Sequence, residues 1–186
     1  MHYTSWDRSD NSHPVLLVEE GPETLGTFSE HSADIDGEFW RLDNDPKLGA
    51  SATLPDDRVF RIAGNLGKDR RLEISLDGRT FAFVMENSGE WIVDDVNEHK
   101  VAQFSTKNRG LRQAILEFDE DTEGLTQDEV IALSWFSRLV QEERTKGTAA
   151  PIIISLVLAS IVLLPHCLPK TSVAYSRWRS RVVKHV

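Results

Sequence analysis

An apolar run from Ala149 to Leu164 is the feature that most limits what this chain can fold into. The run contains no charged residue, and Ser155 and Ser160 are its only polar side chains. As a helix it extends about 24 Å, and continuation to residue 168 gives about 30 Å, enough to cross the hydrocarbon core of a bilayer. We therefore predict a membrane helix over residues 149–168. Its apolar surface would include Pro151, Ile154, Leu158, Ile161 and Leu164.

The end of this run leaves three interpretations open. Pro165 would bend or end a helix, because proline removes a backbone donor and clashes with the preceding turn. The segment then either spans the membrane, or enters and returns on the same side. In the third interpretation it is not in a membrane and instead fills the core of the domain that precedes it.

Charge is divided sharply on the two sides of this run. All 30 Asp and Glu residues precede Ala149, whereas five basic residues and no acid follow it. An acidic body with a basic tail beside an apolar run is typical of a membrane protein, and its negative charge argues against nucleic-acid binding. We expect the tail, residues 169–186, either to bind anionic lipid or only to set topology. The residues expected at lipid headgroups are Lys170, Arg177, Trp178, Arg179, Arg181 and Lys184.

The first residues carry no basic segment followed by an apolar stretch, so they do not resemble a secretory signal. We therefore expect membrane localisation through a single C-terminal segment, with the N-terminal domain in the cytoplasm and the side of the tail left open. Residues 1–13 are largely polar, and we predict that they are disordered and lie outside the folded domain.

Residues 14–118 have the pattern of a β-domain, with short apolar stretches separated by turn residues. The clearest hairpin is "RLEISLDGRTFAFVM", in which Asp77-Gly78 suits a tight type I′ turn. Turn signals recur about every 8–12 residues, which favours an antiparallel barrel or sandwich. "GEFWRLDNDPKLGA" and "GEWIVDDVNEHKVA" also resemble each other, and this predicts one hairpin used twice with Phe39 and Trp91 in equivalent positions.

A helix is predicted over residues 127–143. Thr126 and Glu129 form a capping box at its start, and Gly147 can end it. Its apolar residues cover most of the circumference, so we expect a helix that is buried nearly all round. The core residues expected on it are Val130, Leu133, Trp135, Phe136 and Leu139.

Two stretches, "GEWIVDDVNEHKVAQF" and "ILEFDEDTEGLTQDEVIALSWFSRLVQEE", resemble parts of the tubby-like superfamily. That superfamily includes the LURP-one-related proteins and the phospholipid scramblases. The resemblance covers about residues 14–145 and implies a twelve-stranded antiparallel barrel around a central C-terminal helix. In this chain a separate transmembrane or re-entrant helix would follow. No basic cluster here matches the residues with which some members bind phosphoinositides.

No motif in the sequence indicates catalysis. The six histidines lack the helical spacing of a metal site, and neither a nucleophile elbow nor a phosphate-binding loop is present. The acidic stretch from Asp119 has Val130 where a calcium-binding loop needs Glu. We therefore expect no catalytic residue, cofactor or metal.

The sequence thus favours a non-catalytic, membrane-anchored β-domain that binds lipid or an unidentified protein partner at the membrane surface. One alternative is a scramblase-like phospholipid mover, which would follow from the resemblance alone. Another is an adaptor with a β-sandwich fold that is displayed on a membrane.

Overall fold

The structure, a computed structural model, describes residues 1–107, 115–119 and 124–163, with side chains as far as residue 146. The chain forms two compact units, Met1–Ala149 and Ala150–Val186. The described residues contain one helix, α1, which runs from Gln127 to Leu163. The strands are β1 Tyr3–Asp7, β2 Val15–Val18, β3 Thr24–Phe28, β4 Ser32–Ile35, β5 Glu38–Asp45, β6 Gly49–Thr53, β7 Val59–Ala63, β8 Arg71–Leu76, β9 Arg79–Asn87, β10 Glu90–Asp95, β11 Lys100–Ser105 and β12 Leu116–Phe118.

The twelve described strands form one closed antiparallel barrel. Each strand pairs with the next along the chain, and β1 closes the barrel by pairing with both β2 and β12. The prediction of a mainly β protein with an antiparallel barrel is confirmed. The sandwich alternative is wrong in its architecture, because the strands close into one barrel and do not form two facing sheets.

The prediction that residues 1–13 are disordered and lie outside the domain is wrong. Thr4 pairs with Val18 on one side and Leu116 on the other, so β1 completes the barrel. Trp6 is buried and packs edge-on against Phe28, with ring centroids 4.8 Å apart. Because an aromatic side chain is large, Trp6 supplies the buried apolar area of β1, although its neighbours in sequence are polar.

The first part of α1 lies inside the barrel. Side chains from every side of the helix between Val130 and Val140 are buried in the same core as the inward side chains of the strands. Ser134 is hydrogen-bonded to Thr4 of β1 at 2.7 Å, and Arg144 donates to the carbonyl of Leu66 between β7 and β8 at 3.0 Å. Because residues 127–143 fill the barrel, the interpretation in which residues 149–168 fill it is wrong.

The start of α1 is fixed by the predicted capping box. The Thr126 N–H donates to Glu129 Oε2 at 2.8 Å, and the Glu129 N–H donates to Thr126 Oγ1 at 3.3 Å. Two arginines hold this end to the barrel wall, because Arg58 pairs with Asp128 at 2.6 Å and Arg79 pairs with Glu129 at 2.7 Å.

The helix does not end at Gly147, as the sequence suggested, but continues to Leu163. Glycine in a helix costs only about 1 kcal/mol, and Ala149 and Ala150, which follow it, are the best helix formers. The backbone therefore contains one helix where two separate helices were predicted. Across the described part of the chain, none of the helical sequence meets the length and hydropathy needed to cross a membrane.

Candidate functional site

A cavity of about 310 Å³ lies in the barrel wall, between strands β9 to β12 and helix α1. The helix contributes Gln141 to this cavity. The whole cavity is formed within the unit Met1–Ala149. Its size is at the lower end of the range for sites that bind small ligands.

The cavity forms where the regular pairing of the strands is interrupted. β11 and β12 pair only at Ala102–Phe118 and Gln103–Glu117, so Phe104 and Ser105 have no ladder partner in β12. On the other side, the register between β9 and β10 skips Glu86, which makes Glu86 the extra residue of a β-bulge. Bulges change the direction of side chains and are common beside binding sites.

Buried aromatic side chains form the floor of the cavity. Trp91 and Phe104 both line it, and their rings are stacked with centroids 5.7 Å apart and planes inclined by 6°. The guanidinium of Arg144 lies 5.0 Å from the centroid of the Trp91 ring. Burial lowers the pKa of Arg144, although Asp69 opposes that effect. Packing on both neighbours fixes the Trp91 ring.

Two buried nitrogen atoms of the cavity lining have no hydrogen-bond partner within the described residues. They are the indole Nε1 of Trp91 and the side-chain Nε2 of Gln141. Trp91 as a whole is only 1% exposed. A buried donor without a partner costs about 1–3 kcal/mol, so nearly all such groups in native proteins are satisfied. Both nitrogen atoms are themselves buried, so the cavity lining does not present them to a ligand.

Carboxylates form the exposed rim. Glu86 and Glu117 are exposed and have no ion-pair partner among the described residues, whereas Glu90 pairs with Lys107 at 2.9 Å. Gln103 donates to Glu117 at 2.7 Å. Gly89 allows Lys107 to approach, because a Cβ atom at this position would come within 2.7 Å of Lys107 Cγ. The rim therefore keeps two carboxylates that Lys107 does not neutralise.

These groups are suited to holding a ligand. The floor provides aromatic surface, and the described part of the rim provides negative charge. Ser105 is the hydroxyl of the lining, and it donates to Glu90 at 3.3 Å. Within the described residues, no group of three or more His, Cys, Asp or Glu side chains is placed to hold a metal ion.

The structure describes some of the residues that the sequence analysis identified, and others lie outside the described part of the chain. The five core residues predicted on the helix are buried inside the barrel. The basic tail, Lys170, Arg177, Trp178, Arg179, Arg181 and Lys184, lies outside the described residues. The same holds for Leu164 and for the side chains of Pro151, Ile154, Leu158 and Ile161.

Sequence reasoning missed the cavity, and it also misjudged one pair of residues in the internal repeat. Phe39 and Trp91 were predicted to be equivalent, but Phe39 is 68% exposed and Trp91 is buried. The two strands therefore bury opposite faces of the repeated pattern, and the bulge at Glu86 lies in the strand that pairs with Trp91.

Searches with this chain found no match to a family model, to a curated protein or to a solved structure.

Proposed function

We propose that this chain is a non-catalytic, membrane-anchored barrel domain of the tubby-like type that binds a lipid headgroup or a partner through its wall cavity. The observation that carries the proposal is the wall cavity itself, which is lined by Trp91 and Phe104 and has exposed carboxylates at Glu86 and Glu117. The described part of helix α1 fills the interior of the barrel. Among the described residues, the wall cavity is a concave site of the kind that binds small ligands.

The membrane part of the proposal is supported by the sequence that follows the barrel. Gln141 precedes the apolar run of residues 149–164 by only eight positions in the sequence, and five basic residues follow that run. Apolar residues favour insertion, and basic residues next to them favour anionic lipid. The twelve-stranded closed barrel around a buried helix supports the tubby-like assignment.

Membrane attachment is tested with the full chain and two double variants. Ile154→Lys with Leu158→Lys places two charges in the apolar run, and each is unfavourable by about 2.5–3.5 kcal/mol at the centre of a membrane helix. We expect the wild-type chain to sediment with vesicles that contain anionic lipid, and this variant to remain in the supernatant.

The matched control is Leu48→Lys with Val96→Lys, which changes two apolar residues on the barrel surface that are 67% and 75% exposed. It should sediment like the wild type. Loss of sedimentation in the control alone would contradict attachment through the apolar run, as would a wild-type chain that never sediments. Transfer of labelled lipid between leaflets in the same vesicles would favour the scramblase alternative.

A further inference from the structure

The two ends of the barrel carry different charges. Each strand is antiparallel to the next, so successive connections alternate between the two ends. Helix α1 enters at the end where Arg58, in the β6–β7 connection, pairs with Asp128, and we call this the entry end. It leaves the interior at the end where Arg144 donates to the carbonyl of Leu66, in the β7–β8 connection, and we call this the exit end.

The entry end is strongly acidic. Among the described residues of its connections there are nine acidic side chains, and Arg58 is the one lysine or arginine. The acidic residues are Glu19, Glu20, Glu23, Asp36, Asp56, Asp57, Asp77, Glu98 and Asp119. The sequence of the undescribed stretch 120–123 adds three acids and no base. An anionic surface would therefore repel this end of the barrel.

The exit end has the opposite balance of charge. The described residues of its connections include five basic side chains and three acidic ones. The basic residues are Arg8, Lys47, Lys68, Arg70 and Lys107, and the acidic residues are Asp10, Glu30 and Asp69. The helix residues that leave at this end, 141–146, contain two acids and two bases, and the undescribed stretch 108–114 adds two arginines and no acid.

Three of these bases, Lys47, Lys68 and Arg70, are exposed and have no ion-pair partner among the described residues. We call them the exit-end bases. They lie on two connections that are hydrogen-bonded to each other, because the Leu66 N–H donates to the Pro46 carbonyl at 2.9 Å. The exit-end bases therefore form one positively charged surface on a body that is acidic as a whole.

The carboxylates beside the exit-end bases do not pair with them. Asp45 accepts from the backbone N–H of Lys47 at 2.8 Å, and Asp69 accepts from the backbone N–H of Asn65 at 2.7 Å. Arg144 adds a further positive charge, since it donates to the carbonyl of Asp69 in the connection that carries Lys68 and Arg70. The local balance is thus positive even when both carboxylates are included.

The sequence places this surface near the part of the chain that is expected at a membrane. Arg144 precedes the apolar run by only five positions. Attachment through that run would hold the exit-end bases close to lipid headgroups. The charge of those headgroups would then act on the two ends of the barrel in opposite directions.

We propose that the exit-end bases dock on an anionic lipid surface, with the entry end turned away from it. Basic side chains near such a surface gain from its negative potential, and the acidic entry end is repelled by the same potential. This inference rests on the proposed membrane attachment and makes no use of the wall cavity.

The test uses the full chain on vesicles, with one fluorescent label in a Cys167→Ser background, because the sequence contains a single cysteine. Leu48→Cys places the label at the exit end, and Val96→Cys places it at the entry end. The two side chains are 67% and 75% exposed, so a label fits at either position. Lipid with a nitroxide on its headgroup quenches the label that lies at the membrane surface.

On vesicles that contain phosphatidylserine, we expect quenching at position 48 and not at position 96. The quenched fraction gives a docking equilibrium constant. Lys68→Gln with Arg70→Gln should lower this constant by about fivefold for each base that is lost, as a gain of about 1 kcal/mol per base near an anionic surface gives. Arg41→Gln with Arg61→Gln removes two exposed bases from the barrel wall that also lack an ion-pair partner among the described residues, and it should leave the constant unchanged.

Three results would overturn the inference. They are quenching at position 96 that equals or exceeds quenching at position 48, quenching at position 48 that is as strong on pure phosphatidylcholine vesicles, and equal losses in the two double variants. In each of them the chain has still bound the vesicles, so membrane attachment stands. A chain that binds no vesicle would fail the sedimentation test as well, which distinguishes the two failures.

Discussion

At the scale of single residues, Glu129 has two roles at the start of the buried helix. Its carboxylate accepts from the Thr126 N–H and from Arg79, at 2.8 Å and 2.7 Å, and the residue is only 5% exposed. Glu129→Ala removes both contacts and leaves Arg79, whose side chain is about half exposed, with the Gly124 carbonyl but without its carboxylate partner. We expect the free energy of unfolding to fall by about 2 kcal/mol in urea titrations.

Glu129→Gln separates the two roles, because glutamine can also serve in a capping box but carries no charge for Arg79. It should lose about half as much stability as the alanine variant. Glu38→Ala, at an exposed position on β5, is the matched control and should change stability by less than about 0.5 kcal/mol. Equal losses at Glu129 and Glu38 would show that the cap does not fix the helix start.

The same residue scale shows what the sequence could and could not predict. The Thr126–Glu129 cap was predictable, because both partners lie within one turn and the spacing is sufficient evidence. The position of Trp91 and Gln141 beside one cavity was not predictable. They lie 50 positions apart and line one cavity that forms where β11 separates from β12. Local patterns do not contain that information.

At the scale of secondary-structure elements, α1 takes the place that a second sheet would take in a sandwich. Phe136 is fully buried at the centre of this core. Phe136→Ala should lower the free energy of unfolding by about 3–5 kcal/mol, because the rigid barrel cannot collapse onto the space that is left. Urea denaturation followed by circular dichroism measures the loss.

Lys146→Ala, on the same helix and with a largely exposed side chain, is the control and should be nearly neutral. If Phe136→Ala were as mild as this control, the helix could not be part of the core. The apolar pattern of the helix predicted its burial but not its length, because helix continuation through Gly147 depends on a balance of only about 1 kcal/mol.

At the scale of the whole molecule, barrel closure joins the two ends of the β-domain. β1 lies between β2 and β12, so residues 3–4 pair with residues 116–117. Hairpins between adjacent strands were predictable from turn residues such as Asp77-Gly78, which both have positive φ angles. The closing pair joins residues more than 110 positions apart, and no turn signal marks it.

Acid should destabilise the barrel through carboxylates in its turns. Backbone N–H groups of His99 and Asn97, the former with the larger effect, lower the pKa of Asp95 from its ordinary value of 3.8, although partial desolvation opposes them. Asp56 also has a lowered pKa, chiefly through its hydrogen bond from Arg58. A carboxyl group whose pKa is lower in the folded state than in the unfolded state stabilises the fold at pH values above its unfolded-state pKa. This stabilisation is lost as the pH falls through the folded-state pKa.

Asp94, the neighbour of Asp95, has the opposite effect. Burial raises its pKa, with a smaller opposing effect from Arg71, so its protonation on acidification stabilises the folded state. We expect the urea midpoint of the full chain to fall between about pH 5 and pH 3. The fall should be shallower in Asp95→Asn, which removes a carboxylate that stabilises only when ionised, and steeper in Asp94→Asn. Identical slopes for the two variants would contradict the opposite pKa shifts, since they differ by one position on the same strand.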